Sequence, residues 1–260
     1  MEHEAGVIKA GDRVPDAVAV VARPEQLPPL LSAFAPGPTR AEPIRFSRWS
    51  MDGWVFVRDD RAGPLASSQP SYGRSQAGAV IRYRLSESPY APQAYLRGSV
   101  SLARSKEEEG ALGLSARPLS GAPVRVAIEA RITNTAAGTE VRPAAYAVTE
   151  LPPVHLGLGA RGEAYLQAGW VGGRYATAFI DGQARIDHPL VAVAGTQLTA
   201  GAGLWGGAQK AAERLDVGPS ALLTFRLGRC QGRLSADYRF RIAGDAQPAS
   251  GPALTLSAGF

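Results

Sequence analysis

The chain has little cysteine, little lysine and no long apolar run. Cys230 is the single cysteine among 260 residues, which excludes an internal disulfide and any cysteine-rich metal site. Lysine occurs only at Lys9, Lys106 and Lys210, so the formal charge of +5 is carried almost wholly by arginine. No stretch of about 18 apolar residues is present, which excludes a transmembrane helix.

The amino terminus also lacks the pattern of a secretory signal. Residues Met1 to Val7 contain no basic segment followed by an apolar stretch. This counts against an exported protein, unless the signal was removed or lies upstream of a trimmed or misassigned start.

The composition nevertheless supports a folded core. Hydrophobic residues make up 45% and aromatic residues 7%, which excludes extensive disorder. The excess of arginine has two interpretations: guanidinium groups that hold carboxylates in a crowded polar interior, or genomic base composition, which also explains the abundant alanine, glycine and proline. Nucleic-acid binding is not favoured, because the arginines are spread along the chain rather than gathered in one basic run.

Strict alternation of apolar and polar residues is the main structural signal. In Val124 to Thr133 the even-numbered positions are all apolar, and the odd-numbered positions include Arg125, Glu129 and Arg131. Residues 233 to 242 repeat the pattern with three arginines on the polar side. A slip of one residue would put those arginines on the apolar face, at about 2 to 4 kcal/mol each near a bilayer midplane. The register is therefore strongly specified.

Similar segments recur from residue 44 to the end, and about twelve strands are predicted. Residues 1 to 43 are rich in proline and are interpreted as a linker or a periplasmic segment. Compact connections are predicted near 86 to 92, 119 to 123, 152 to 153, Pro189 and 228 to 232. Connections at the other end are predicted near 59 to 72, 105 to 109, 134 to 140, 172 to 174, 206 to 213 and 243 to 251.

The last strand carries a resemblance. Leu254, Leu256, Ala258 and the terminal Phe260 alternate with polar or small residues. This ending resembles the C-terminal signal by which barrel-assembly machinery recognises bacterial outer-membrane β-barrels. Residues 44 to 260 as a whole resemble such barrels, and more loosely the C-terminal barrels of exopolysaccharide-export and phage-adsorption proteins.

The resemblance implies an all-β fold, a closed antiparallel up-and-down transmembrane barrel in the bacterial outer membrane, with Phe260 at the periplasmic rim. It also implies outer-membrane lipid, the assembly machinery and envelope secretion components as partners, without nucleic acid, cofactor or metal.

The polar face of the strands would then line the lumen. The alternation predicts inward positions for Arg82, Arg84, Arg97, Arg125, Glu129, Arg131, Arg161, Glu163, Asp181, Arg185, Arg226, Arg233, Asp237, Arg239 and Arg241. Arginine is in excess, so an open lumen would favour anions or acidic sugars. Alternatively, the charges pair across neighbouring strands and plug a narrow barrel.

Catalytic signals are sparse. His155 and His188 lie beside prolines near predicted turns at the periplasmic end, and His188 next to Asp187 is a weak candidate for a general base. No cluster has the spacing of metal ligands. We therefore expect no catalytic residue and no enzymatic activity. Trp49, Trp170 and Trp205 lie near predicted strand ends, where aromatic girdles are expected, and Trp54 does not fit this pattern.

The sequence thus predicts a porin-like or secretion-associated conduit for anionic solutes or polysaccharide. The alternatives are an autotransporter-like translocator, which would need a helix in the lumen, a barrel enzyme acting on lipid or peptide, and a soluble β-sandwich.

Overall fold

A computed structural model describes residues 47–58, 75–102, 108–135, 138–174, 176–210 and 212–260. The predicted segment 1–43 lies outside the described residues. The strands are β1 Trp49–Arg58, β2 Gln76–Arg84, β3 Gln93–Ser101, β4 Glu108–Ala116, β5 Val124–Thr135, β6 Gly138–Thr149, β7 Val154–His155, β8 Arg161–Val171, β9 Thr177–Val193, β10 Thr196–Gln209, β11 Ala212–Leu227, β12 Cys230–Ala243 and β13 Gly251–Gly259.

All of these strands belong to one antiparallel sheet that closes on itself. Consecutive strands pair, except that β6 pairs with β8 rather than with β7, from Ala144↔Val171 to Val148↔Gln167, and β1 pairs with β13. The two-residue strand β7 is an addition at the edge of β8. The prediction of a closed antiparallel barrel of about twelve strands is confirmed. Among the described residues, no helix is long and apolar enough to cross a membrane.

The two faces of the barrel differ as the alternation predicts. On β5, Glu129 and Arg131 are buried, whereas Ile128 and Ile132 on either side of them are more than half exposed. Most other strands show the same alternation over much of their length, and most of the large exposed residues on them are apolar. An apolar exterior around a polar interior is the arrangement of a barrel that spans a bilayer.

Aromatic side chains lie on the exterior near both ends. Trp49 and Tyr83 stack with ring centroids 4.7 Å apart at the end that carries Phe260, and Tyr238 and Phe240 form a similar pair at the opposite end. Trp49 and Trp170 are exposed, as girdle residues are. The girdle position predicted for Trp205 is wrong, because Trp205 is buried inside the barrel.

The strands differ in length. Strands β1 to β4, β8 and β13 contain 9 to 11 residues, whereas β9 to β12 contain 14 to 17. The turn predicted at Pro189 is wrong, since β9 continues through Pro189 to Val193 and the turn is formed by Ala194 and Gly195. The turn at Gly228 and Arg229 lies at the same end, which is the end of Phe260.

Candidate functional site

The candidate site is the barrel interior, and aromatic rings fill its middle. The ring of Trp54 lies against Gly78, its partner on the neighbouring strand, and the ring of Tyr95 lies against Gly113 in the same way. Phe56 and Trp205 are also buried there. Glycine at the paired position leaves room for the aromatic ring, because a larger side chain there would occupy the same space. The aromatic residues therefore narrow the interior.

Gly113→Ala is expected to destabilise the barrel by about 1–3 kcal/mol, because the new methyl group would overlap the Tyr95 ring. Urea unfolding in lipid, followed by tryptophan fluorescence, measures the effect. Gly110→Ala on the same strand is the matched control, since open space surrounds the position of its Cβ. Equal stability of the two variants would contradict the described packing.

A first charged network joins strands β3, β4 and β5. Arg97 pairs with Glu109 and donates to Glu129 at 3.1 Å, and Arg131 Nε donates to the same Glu129 oxygen at 2.5 Å. Tyr95 donates its hydroxyl to the other Glu129 oxygen at 2.7 Å. Arg97, Glu129 and Arg131 are almost completely buried. Glu129 thus holds two guanidinium groups that have little access to water.

A second network lies near the end opposite Phe260. Arg58 of β1 and Arg214 of β11 both donate to Asp216 Oδ2, at 2.9 and 2.7 Å. Strands β12 and β13 separate β1 from β11 in the sheet, so the contact between Arg58 and Asp216 passes through the barrel interior. Asp216 therefore ties two non-adjacent walls together.

The same two arginines hold the connection between β12 and β13, residues 244–250, which we name the capping loop. Arg214 donates to the carbonyl oxygens of Ala246 at 2.8 Å and of Pro248, and Arg58 donates to that of Ala249 at 3.2 Å. Ala246 and Pro248 are buried. The capping loop is therefore folded inward against the interior ends of β11 and β1.

A third network centres on Asp237 of β12. Its Oδ1 accepts from Ser220, Ser235 and Arg185, at 2.6, 2.7 and 3.1 Å, and its Oδ2 accepts from Arg239 at 3.2 Å. The Arg239 guanidinium also lies over the rings of Trp205 and Phe56, with centroid distances of 4.4 and 5.0 Å. Such contacts stabilise a cation away from water.

A cavity of about 70 Å³ lies beside this network. Its charged lining consists of Arg185, Arg233, Arg239, Glu163 and Asp237, which is three positive groups against two negative groups. Arg233 donates to Glu163 at 2.7 Å. Leu151 and Pro153, from the connection that follows β6, also line the cavity and place it toward the end that carries Phe260.

Glu150 lies just outside the strands at this end. It accepts from Arg117 Nε at 2.6 Å and from Arg125 Nε at 2.7 Å. Burial opposes its ionisation, but the two arginines outweigh burial and lower the pKa of Glu150 below its usual value. Glu150 therefore fixes the connection after β6 to the start of β5.

The predicted lumen residues occupy different places. Arg97, Glu129, Arg131, Asp181, Asp237 and Arg239 are buried, and Arg82, Arg84, Arg125, Arg161, Glu163, Arg185, Arg233 and Arg241 are half-buried. Arg82 pairs with Asp52, and Arg241 donates to the carbonyls of Asp245 and Ala246 in the capping loop. Arg226 is exposed near the end of β11. The structure thus brings Arg185, Glu163, Arg233, Asp237 and Arg239 together at the cavity.

Sequence reasoning missed several buried interior residues: Arg58, Glu109, Arg142 and Arg214. Arg58 shares the phase of Asp52 on β1, and Arg214 shares the phase of Asp216 on β11, so strict alternation would have found them. In the last strand, Leu254, Leu256 and Phe260 are exposed on the apolar face and Thr255 and Ser257 are buried.

The histidines do not form a catalytic arrangement. The two ring nitrogens of His188 lie 2.9 Å from the carbonyl of Leu158 and 3.0 Å from that of Pro189, and His155 lies exposed on β7. Asp187 instead lies buried, with Oδ2 3.9 Å from Arg185 Nε. The described residues include no group of three or more histidine, cysteine or acidic residues placed to hold a metal ion.

No protein-family model and no curated protein sequence matches the chain. In structure, the chain is similar to LpxR from Salmonella typhimurium, with 12% identity, a TM-score of 0.40, and coverage of 81% of this chain and 99% of that one. It is similar to the beta domain of the Bordetella autotransporter BrkA (12% identity, TM-score 0.41, coverage 82% and 98%) and to an outer membrane channel from Pseudomonas putida F1 (14% identity, TM-score 0.43, coverage 85% and 98%).

These neighbours correct one expectation. The neighbours include LpxR as well as an outer membrane channel, and they give no ground for excluding catalysis. The prediction that excluded enzymatic activity is therefore wrong.

Proposed function

We propose that this chain is an outer-membrane conduit for small anions, with a path that is closed in the described conformation. The observation that carries the proposal is the arginine-rich cavity, whose charged lining has one positive charge in excess. A fixed positive charge in a narrow, poorly solvated space raises the local concentration of anions. The anion would enter from the end that carries Phe260, which is periplasmic in the predicted orientation.

The size of the cavity supports a small solute. A water needs about 10–15 Å³ of such cavity volume, so a cavity of about 70 Å³ has room for several waters or one small anion. Polysaccharide passage, a role in secretion and recognition of Leu254, Leu256, Ala258 and Phe260 by assembly machinery stay predictions. An autotransporter-like role is disfavoured, because a helix of about 10–12 Å diameter would have to displace the buried side chains.

Two features support a closed path. Arg239, held between Phe56 and Trp205, lies at the cavity wall, and the capping loop is held beyond it by Arg58 and Arg214. Opening therefore requires the capping loop to leave its carbonyl contacts, while the aromatic rings narrow the remaining passage. The expected conductance of the unaltered protein is accordingly small.

Planar-bilayer recordings in a potassium chloride gradient test the proposal. The protein is expected to show a small, anion-selective conductance, and Arg233→Gln is expected to move the reversal potential toward zero, because the lining then has equal numbers of positive and negative groups. Arg226→Gln is the matched control, since it removes an arginine that is exposed rather than at the cavity. Cation selectivity of the unaltered protein would overturn the proposal.

A further inference from the structure

The β9–β10 hairpin reaches beyond its neighbour β8. The β8–β9 ladder stops at Arg161↔Asp187, whereas β9 continues for six further residues and pairs with β10 through Val193↔Thr196. A strand needs about 9–11 residues to cross the apolar core of a bilayer, and β9 has 17. We name residues 188–199 the extension. It lies at the end that carries Phe260, outside the length that a bilayer requires.

One edge of the extension has no strand beside it. Residues 188–193 pair with β10 on one side, and no described residue pairs with them on the other. Pro189 lacks an N–H group, and a register shift beside Leu198 leaves Leu190 without a partner on β10. Proline and bulges prevent a strand edge from pairing with a further strand, but here they affect only residues 189 and 190. The edge remains open from Val191 to Val193.

The open edge is bordered by exposed apolar side chains. Leu190, Val191 and Val193 are 54–64% exposed. Leu158 is 99% exposed, and its carbonyl contacts His188 at the start of the edge. Val154 and Leu156, in the same connection, are about half exposed. A surface of this kind is expected to be covered by a partner.

Lipid and a second copy of the chain are poor candidates for this cover. Hydrocarbon cannot satisfy unpaired backbone groups, so an open strand edge does not lie in the bilayer core. Two copies in one membrane are related by an axis along the membrane normal. Because barrel strands tilt by about 35–45°, such a rotation makes the two β9 edges cross at roughly 70–90° instead of running side by side. An added strand from another protein meets neither obstacle.

We infer that the open edge of β9 binds an extended segment of another envelope protein by strand addition. The segment continues the sheet where β8 stops, and its backbone pairs with residues 191–193. Its outward side chains are apolar, to match Val191 and Val193, and its inward side chains are polar, to match the row that includes Gln197 and Thr224. In the predicted orientation this partner lies in the periplasm.

The test uses the full chain in lipid nanodiscs and a fluorescent peptide of alternating threonine and valine. Fluorescence anisotropy is expected to show saturable binding, about tenfold weaker for Val191→Lys, because a lysine at a strand edge opposes pairing. Leu119→Lys is the matched control, since Leu119 is also an exposed apolar residue, in the connection between β4 and β5 at the same end. Its binding is expected to equal that of the unaltered protein.

Backbone pairing is separated from apolar adsorption by a second peptide, in which alternate amides are methylated. Strand addition requires this peptide to bind much more weakly. Equal binding of the two peptides, unchanged binding by Val191→Lys, or no binding to the unaltered protein at millimolar peptide would overturn the inference. Quenching by brominated lipid of the fluorescence that Val193→Trp adds to that of the unaltered protein would overturn it too, because lipid would then cover the edge.

Discussion

Glu129→Gln is expected to destabilise the barrel by about 3–5 kcal/mol, the largest effect among the variants considered. Glu129 is the acceptor for both Arg97 and Arg131, and these three side chains have almost no access to water. Glutamine keeps the size of the side chain but removes its charge, which leaves Glu109 as the remaining carboxylate of this network for two buried guanidinium groups. Urea unfolding of the protein in lipid, followed by tryptophan fluorescence, measures the loss.

Two further variants locate the cause of this loss. Glu140→Gln removes a carboxylate that is only half-buried, at the start of β6, and is expected to change stability by about 0.5 kcal/mol or less. Glu129→Gln combined with Arg131→Met removes one acid and one base together, and is expected to be more stable than Glu129→Gln alone. A double variant that is less stable than the single variant would show that shape rather than charge explains the effect.

The alternation predicts the barrel well because the polarity of each residue indicates whether its side chain faces the exterior or the interior of the barrel. The pattern of Val126, Ile128 and Ile132 against Glu129 and Arg131 needs no knowledge of the neighbouring strands. The apolar positions are exposed and the polar positions are buried, as they are on β12 and β13. Fold class and strand number follow from such local signals.

Trp54 and Phe56 show where local signals mislead. These aromatic residues occupy the polar phase of β1, where alternation alone predicts polar side chains. The structure shows a regular strand whose large residues fill the interior, with Trp54 opposite Gly78. The signal is the pairing of an aromatic residue with a glycine on the next strand. It becomes visible only when the register between the strands is known.

Pro189 illustrates a different limit. A proline between alternating segments predicts a turn, since it cannot donate to a sheet ladder. At this position β9 has already passed the end of β8, so the missing N–H group leaves no partner unsatisfied there. Proline is therefore tolerated inside the strand. Whether a strand has a neighbour at a given residue depends on the closure of the whole barrel, which a local pattern does not contain.

The cavity and the capping loop depend on contacts between distant parts of the chain. Asp216 lies between Arg58 and Arg214, and these contacts bring together β1 and β11. The alternation assigns each of these residues to a face, without indicating which of them meet. An interior that is lined by charged residues on every strand is compatible with many pairings. The structure shows which pairings occur. They leave a cavity lined by three arginines and two carboxylates toward one end, and a capping loop held by Arg214 at the other.

Arg214→Met is expected to release the capping loop and to raise the bilayer conductance about tenfold or more. Arg214 donates to Asp216 and to the carbonyls of Ala246 and Pro248, and methionine can make none of these hydrogen bonds. Each hydrogen bond from a charged donor contributes about 1.5–3 kcal/mol, so losing two from the loop shifts a closed-to-open equilibrium by at least a factor of ten. Conductance in planar bilayers and proteolysis within residues 244–250 measure the release.

Arg226→Met on the same strand is the control, because Arg226 is exposed and lies at the other end of β11 from the capping loop. It is expected to leave both conductance and proteolysis unchanged. Faster proteolysis of Arg214→Met without increased conductance would mean that the aromatic residues around Arg239, rather than the loop, close the path. Arg239→Met would then be the variant that conducts. No conductance in any of these proteins would leave a plugged barrel and would overturn the proposed conduit.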